Sequence, residues 1–383
     1  MKTPATVKRV KSTPQSLTIE WSDGEIGEFA SLWLRDNLRE DRDPHSGQRL
    51  IDITELPEEP RIRSAVLDAG AVRVEWEGES RPASFEIEWL AGHAYGSNGQ
   101  RPELSSALWL EGEVLDARRD FAHCSLSALR GNPGTRLEWL TRLLQQGIAF
   151  LSEVPTTKSA ILEAMSAIGR VFETNYGLVF DVQSVPEPEN LAYSDRGLGL
   201  HTDNPYREPV PGFQALHALL ASREGGDSLF ADGHALAEHL RANDPGAFRL
   251  LTQIAVPFQY SSKGAELYAQ RPLIQLSCRG AVSAVHYNSR SIAPLAPAKD
   301  EAVPFYAAYR RFAALLREPR FQLRCKLEDA DLVVFDNQRI LHGRTGFSSA
   351  QFPRHLRGCY LTRDSVYGQT ALLRRNIERE TRS

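Results

Sequence analysis

DLVVFDNQRILHGRTGF (331–347) reads as a short buried strand, VVF, running into a polar turn, DNQR, and out again to His342, which Gly343 follows at once. An apolar run bounded by turn residues fits a strand inside a packed sheet. A histidine at a strand end, flanked by small and polar residues, is well placed as a metal ligand. Upstream, LHTDNPYREP (200–209) closes another apolar run with His201 and Asp203. Residues i and i+2 of a strand point to the same side, so these two present an imidazole and a carboxylate to one small volume. Alone, such a pair is more often a hydrogen-bonded structural contact. Joined by His342 it becomes two imidazoles and one carboxylate, the facial triad that leaves positions open on Fe(II) for a cosubstrate and O2.

FPRHLRGCYL (352–361) follows, with Arg354 twelve residues beyond His342. As a strand it places Arg354, Leu356, Gly358 and Tyr360 on one face and His355, Arg357 and Cys359 on the other. An inward arginine near such a centre suits bidentate capture of a carboxylate.

The remaining chain supplies a setting for this chemistry. Its 383 residues, 42% apolar and 25% charged, are enough for one large domain and a smaller one. The net charge of −4 gives no general attraction to nucleic acid or anionic lipid. No apolar run approaches the ~18 residues of a membrane span, and the basic start MKTPATVKRVKSTPQ lacks the apolar segment of a secretory signal. Cys124, Cys278, Cys325 and Cys359 are scattered singly, which predicts free thiols in a reducing cytoplasm.

Residues 1–95 alternate with period two in LTIEW, AVRVEWEGES and ASFEIEWL, broken by Asp-Gly and Gly turns, and predict a small β-rich domain. SLWLRDN (31–37) interrupts it as a short helix or turn, and the polar stretch 95–106 is the expected linker. From 107 to 383 many short strands dominate, with helices expected at 135–147 (capped by Thr135, stopped by Gly147), 158–172, 234–251 and 303–318. The pattern predicts a mainly β fold with helical inserts, a two-sheet jelly roll.

Taken together, HTD, FDNQRILHGR and RHLRGCY resemble the motifs of the γ-butyrobetaine dioxygenase family of Fe(II)/2-oxoglutarate dioxygenases, within the taurine dioxygenase superfamily. LWLRDN (32–37) resembles a hallmark of that family's N-terminal module, so the likeness spans nearly the whole chain. It implies a double-stranded β-helix catalytic domain in which His201, Asp203 and His342 hold iron. It implies too that Arg354 and Ser228 receive the distal carboxylate of 2-oxoglutarate. The implied chemistry is oxidative decarboxylation to succinate and CO2, coupled to hydroxylation of an unactivated carbon.

Family members usually carry C-x-C-x-x-C after LRDN and a later histidine, a structural zinc site. Here Leu38, Glu40 and Asp43 stand at the cysteine positions and Glu86 at the histidine position, so no zinc is expected.

Tyr176, Phe180, Tyr193 and Tyr360 match the positions from which the family builds an aromatic cage for a trimethylammonium group. Ring faces suit a cation that cannot donate hydrogen bonds. Asn190, Asn204, Asn288 and Arg290 are the candidate partners of the anionic end, with Arg207 beside them. An added guanidinium favours a phosphonate, so the expected substrate is 2-(trimethylamino)ethylphosphonate, with γ-butyrobetaine as the alternative. A sulfonate or sulfate dioxygenase of the same superfamily would need no cage, and a non-catalytic jelly roll would need no intact triad. By resemblance the assembly is a homodimer, and 183–190 is the expected lid.

Overall fold

The computed structural model describes residues 6–94, 106–109, 114–184, 194–350 and 353–382. The chain divides into two compact units, 1–103 and 104–383.

The first unit holds two three-stranded antiparallel sheets, Val7–Ser12, Ser16–Trp21 and Ile26–Ala30 in one, and Ile62–Asp68, Ala71–Trp76 and Ala83–Glu86 in the other. Strict alternation in SLTIEW and AVRVEW buries Leu17, Ile19 and Trp21 and Val72, Val74 and Trp76, and turns their neighbours outward. SLWLRD is helical (Ser31–Asp36), and its Leu34 is wholly buried in the shared core. Where thiolates would stand, Leu38 packs into that core. The Asp43 carboxylate accepts from the His45 and Ser46 backbone and from Ser46 Oγ, at 2.6 to 3.1 Å, and forms a turn. Glu86 is exposed and pairs with Arg39 at 3.5 Å. The loop after LRDN is thus closed by a buried leucine, an aspartate turn and ion pairs from Arg35 to Asp41 and Glu79.

The second unit is a jelly roll of two sheets. The larger orders Phe180–Gln183, His355–Leu361, Phe213–Leu220, Leu332–Asp336, Ile148–Ser152 and Ala122–Ser125, with Val171–Phe172 also on His355–Leu361. The smaller orders Leu198–His201, Ile340–Arg344, Ser228–Asp232 and Leu323–Cys325. Phe150, Phe230, Phe335 and Leu323 fill the space between the sheets.

Most expected helices form, with three differences. Pro133–Gln146 starts earlier than expected because Asn132, rather than Thr135, is the cap: its Oδ1 accepts the Thr135 N–H at 3.0 Å. The helix expected over 158–172 is helical only at Ala160–Met165. Beyond it Gly169 lies against Ser365 and Val366, and Val171–Phe172 leave to pair with Leu361 and Tyr360. The run 234–251 breaks into Gly233–Asn243 and Pro245–Gln253, since Asp244 ends one helix and caps the next, which Pro245 opens. No helix among the described residues is long and apolar enough to cross a membrane.

One buried ion pair ties the turn DNQR to this frame. Arg339 Nε and Nη2 donate to Asp232 at 3.0 and 2.7 Å, and its other hydrogens reach the Gln145 and Ala107 carbonyls. Asp232 also caps the helix Gly233–Asn243. Arg339→Met leaves that carboxylate buried without a counter-charge and is expected to cost about 3–5 kcal/mol in denaturant unfolding.

Candidate metal centre and substrate cavity

His201 ends its strand and lies directly opposite His342 in the antiparallel ladder. The approach is close because of Gly343: a Cβ there would sit 2.4 Å from the Leu198 carbonyl oxygen and 3.1 Å from Leu200 N. Asp203 lies just beyond the strand, fixed by a residue the sequence reading did not single out. Asn337, wholly buried in the DNQR turn, accepts the Asp203 N–H at 2.7 Å and donates to the Asp203 and Pro211 carbonyls at 3.0 and 3.1 Å. One side chain thus ties the HTD segment to the hairpin that carries His342.

The ligand atoms of His201, Asp203 and His342 all lie within 4.8 Å of one another, and among the described residues no other group of three such side chains does so. His201 Nδ1 donates to the Gly199 carbonyl at 2.9 Å, which fixes its tautomer and leaves Nε2 as an acceptor 3.2 Å from Asp203 Oδ1. Burial, reinforced by His201, pushes the His342 imidazole down to about 3, so it is neutral at neutral pH. Burial raises the Asp203 carboxyl, but His342, His201 and Tyr360 outweigh it and hold the group well below the usual carboxylate range. Two imidazoles and one ionised carboxylate, gathered in a buried pocket, fit a divalent ion.

The triad opens into a cavity of about 460 Å³. Arg354 and Ser228, both buried, line one side, and Arg344 stands directly across the ladder from Ser228. Burial, with Arg344 beside it, lowers the Arg354 guanidinium to about 10, Asp227 opposing, so it stays cationic at neutral pH. Arg344 was not singled out from sequence, although it lies two residues beyond His342 on a strand and therefore on the same face.

Another part of the lining is aromatic. Phe180 and Tyr360 have ring centroids 5.1 Å apart, Tyr176 and Phe180 6.3 Å. Gly358 makes this possible: it pairs with Phe180 across the ladder, and a Cβ there would lie 2.4 Å from the Phe180 ring. Two further tyrosines, missed in the sequence, extend the wall. Tyr206 and Tyr260 stack at 5.1 Å, and Tyr260 meets Tyr176 at 6.0 Å. Tyr206 lies three residues past Asp203, whereas nothing local marks Tyr260, which arrives on the ribbon Val256–Ser262.

Asn204, Asn288 and Arg290 also line the cavity, whereas Arg207 does not. Asn204 Oδ1 accepts from Tyr206 at 2.6 Å while its buried Nδ2 has no partner among the described residues. Asn288 donates one amide hydrogen to the Thr202 carbonyl at 3.1 Å, which leaves it less to offer an anion than expected. Asn190, Tyr193 and most of the expected lid 183–190 lie outside the described residues.

His342→Ala removes one of three ligands from a site with no spare donor nearby. It is expected to weaken Co(II) binding about 100-fold or more by titration calorimetry, with the fold intact by circular dichroism.

With this geometry in place, comparisons with known proteins agree with it. Residues 123–360 match the family model described as Taurine catabolism dioxygenase TauD, TfdA family, and residues 8–91 match Gamma-butyrobetaine hydroxylase-like, N-terminal. A Gamma-butyrobetaine dioxygenase from Pseudomonas sp. (strain AK-1) is 32% identical over 379 residues, covering 95% of each chain. The human Gamma-butyrobetaine dioxygenase is 26% identical over 94% of this chain and 95% of its own. A Trimethyllysine dioxygenase from Meyerozyma guilliermondii is 26% identical over 95% and 94%. A jelly roll with a His-Asp-His centre, joined to this N-terminal module and matched over nearly its whole length, belongs to the TauD, TfdA family and is an Fe(II)- and 2-oxoglutarate-dependent dioxygenase.

Proposed function

We propose that this enzyme hydroxylates an unactivated carbon of a small trimethylammonium zwitterion. The observation that carries the reading is the aromatic wall of Tyr176, Phe180, Tyr206, Tyr260 and Tyr360 in the same cavity as His201, Asp203 and His342. A quaternary ammonium is held by ring faces at about 0.5–2 kcal/mol per cation–π contact, and it presents the neighbouring methylene groups to the metal side. Iron with 2-oxoglutarate and O2 supplies the oxidant that breaks the C–H bond. The chain's own part is positional. His201, Asp203 and His342 hold the ion, Arg354 and Ser228 receive the distal carboxylate of 2-oxoglutarate, and the rings exclude water from the reacting carbon.

For the anionic end, γ-butyrobetaine has better support than the phosphonate expected from the sequence. Full-length relatives are named for γ-butyrobetaine and trimethyllysine, both trimethylammonium compounds that carry a carboxylate. The phosphonate stands as a second reading on one observation, Arg290. It lies exposed at the cavity rim, with no ion pair or hydrogen bond among the described residues. Arg344 is offset by Asp195 and Arg354 by Asp227, whereas the carboxylate acting on Arg290 is Asp203, which the metal would take. An uncompensated guanidinium favours the ligand with more negative charge.

Succinate release by the Fe(II)-loaded enzyme, run in parallel on γ-butyrobetaine and 2-(trimethylamino)ethylphosphonate, tests both readings. Stimulation by γ-butyrobetaine is the expected outcome. Stimulation by the phosphonate alone assigns Arg290 to phosphonate capture, and Arg290→Ala should then lower kcat/KM about 10- to 100-fold. If neither compound stimulates succinate release, the substrate reading fails.

A second variant probes the cage. Gly358→Ala is expected to push the Phe180 ring aside and raise KM for the quaternary substrate about 3- to 30-fold, the worth of one cation–π contact. Its Co(II) affinity should match that of the parent.

A further inference from the structure

We infer that Tyr360 is a positioning residue for the metal centre, holding one oxygen of Asp203 so that the other is left to bind the ion. The phenol donates to Asp203 Oδ2 at 2.8 Å. That carboxylate has two oxygens with different surroundings: Oδ1 is 3.2 Å from His201 Nε2, and Oδ2 is 3.7 Å from His342 Nε2. A carboxylate on a short side chain can rotate about its last torsion and bind through either oxygen or both. The Tyr360 bond breaks that equivalence. With Oδ2 engaged by Tyr360, Oδ1 would be the oxygen that holds the ion.

The donor itself is fixed. Tyr360 is 4% exposed and sits inside the larger sheet, paired with Gln214 on one side and Phe172 on the other. The backbone of Asp203 is held independently by Asn337, so main chain and carboxylate are each restrained by one residue remote in sequence. Partners of this kind orient metal ligands, and their removal typically costs about 10- to 100-fold in metal affinity. The Tyr360 ring meanwhile faces the aromatic wall, so the residue has two separable parts, a ring and a hydroxyl.

Tyr360→Phe removes the hydroxyl and keeps the ring; Phe180→Leu removes a ring and leaves the hydroxyl bond. Co(II) affinity by titration calorimetry and the visible absorption of bound Co(II) are measured on both variants and on the parent protein, without substrate. The expected result is a loss of about 10-fold or more and an altered Co(II) spectrum for Tyr360→Phe. Phe180→Leu should match the parent. Unchanged affinity and spectrum in Tyr360→Phe overturn the inference, as does an equal loss in Phe180→Leu, which would make packing the cause. Because no substrate is present, the outcome does not depend on the trimethylammonium reading. Failure of the parent protein to bind Co(II) would overturn both this inference and the assignment of the triad.

Discussion

The pairing of two short antiparallel strands, Leu198–His201 and Ile340–Arg344, is the constraint on which the site depends. It sets His201 against His342, and it carries Arg344 to the same cavity wall as Ser228 on the next strand. Neither histidine could be placed by its own segment, because 140 residues lie between them. The pairing is close only because Gly343 has no side chain to meet the Leu198 carbonyl. Asn337 then fastens the third ligand's backbone to the same hairpin, so all three ligands are tied to one pair of strands. Such preorganisation matters because a metal site costs less to fill when its donors are already gathered and deprotonated.

The cavity is arranged by charge as well as shape. Arg344, Arg354 and Arg290 all line it, and Asp195 and Asp227 act on the first two. Three guanidinium groups on one cavity favour an anionic ligand, and the desolvation of the buried Arg344 and Arg354 is offset when a carboxylate or phosphonate arrives. The aromatic wall does the opposite job without any formal charge, since ring faces attract a cation whose hydration is already weak. The zwitterion proposed as substrate has one end for each environment, and that division would set which carbon faces the triad.

In the N-terminal unit, the positions that the family resemblance assigns to a zinc site hold other residues. Four residues stand at those positions, and three of them have a visible role. Leu38 adds apolar surface to the core, Asp43 closes a turn through backbone donors, and Glu86 stays at the surface. Burying one leucine contributes about 1.5–3 kcal/mol, less than a structural zinc, so most of the unit's stability rests on its two small sheets and the Trp76 and Leu34 core they enclose.

Much of this was legible along the chain. Period-two alternation gave the strands, and the i, i+2 spacing of His201 and Asp203 and of Arg354, Leu356, Gly358 and Tyr360 told which side chains share a face. These are local properties, dictated by the pleat of a strand. Helix ends were less legible where a neighbour decided them: the chain after Met165 abandons its helix because Gly169 must fit against Ser365 and Val366. Arg344 and Tyr206 were missed beside their ligands, whereas three other missed features share a long-range cause. Asn337, Tyr260 and the hydroxyl of Tyr360 act on partners far away in sequence, through hydrogen bonds and ring contacts that exist only once the sheets have paired. The sequence by itself determined which residues could carry iron chemistry and recognise a cation. Only the tertiary structure decided how far apart they stand and which oxygen of Asp203 receives the Tyr360 hydroxyl, because those depend on strand register and on close packing between remote segments.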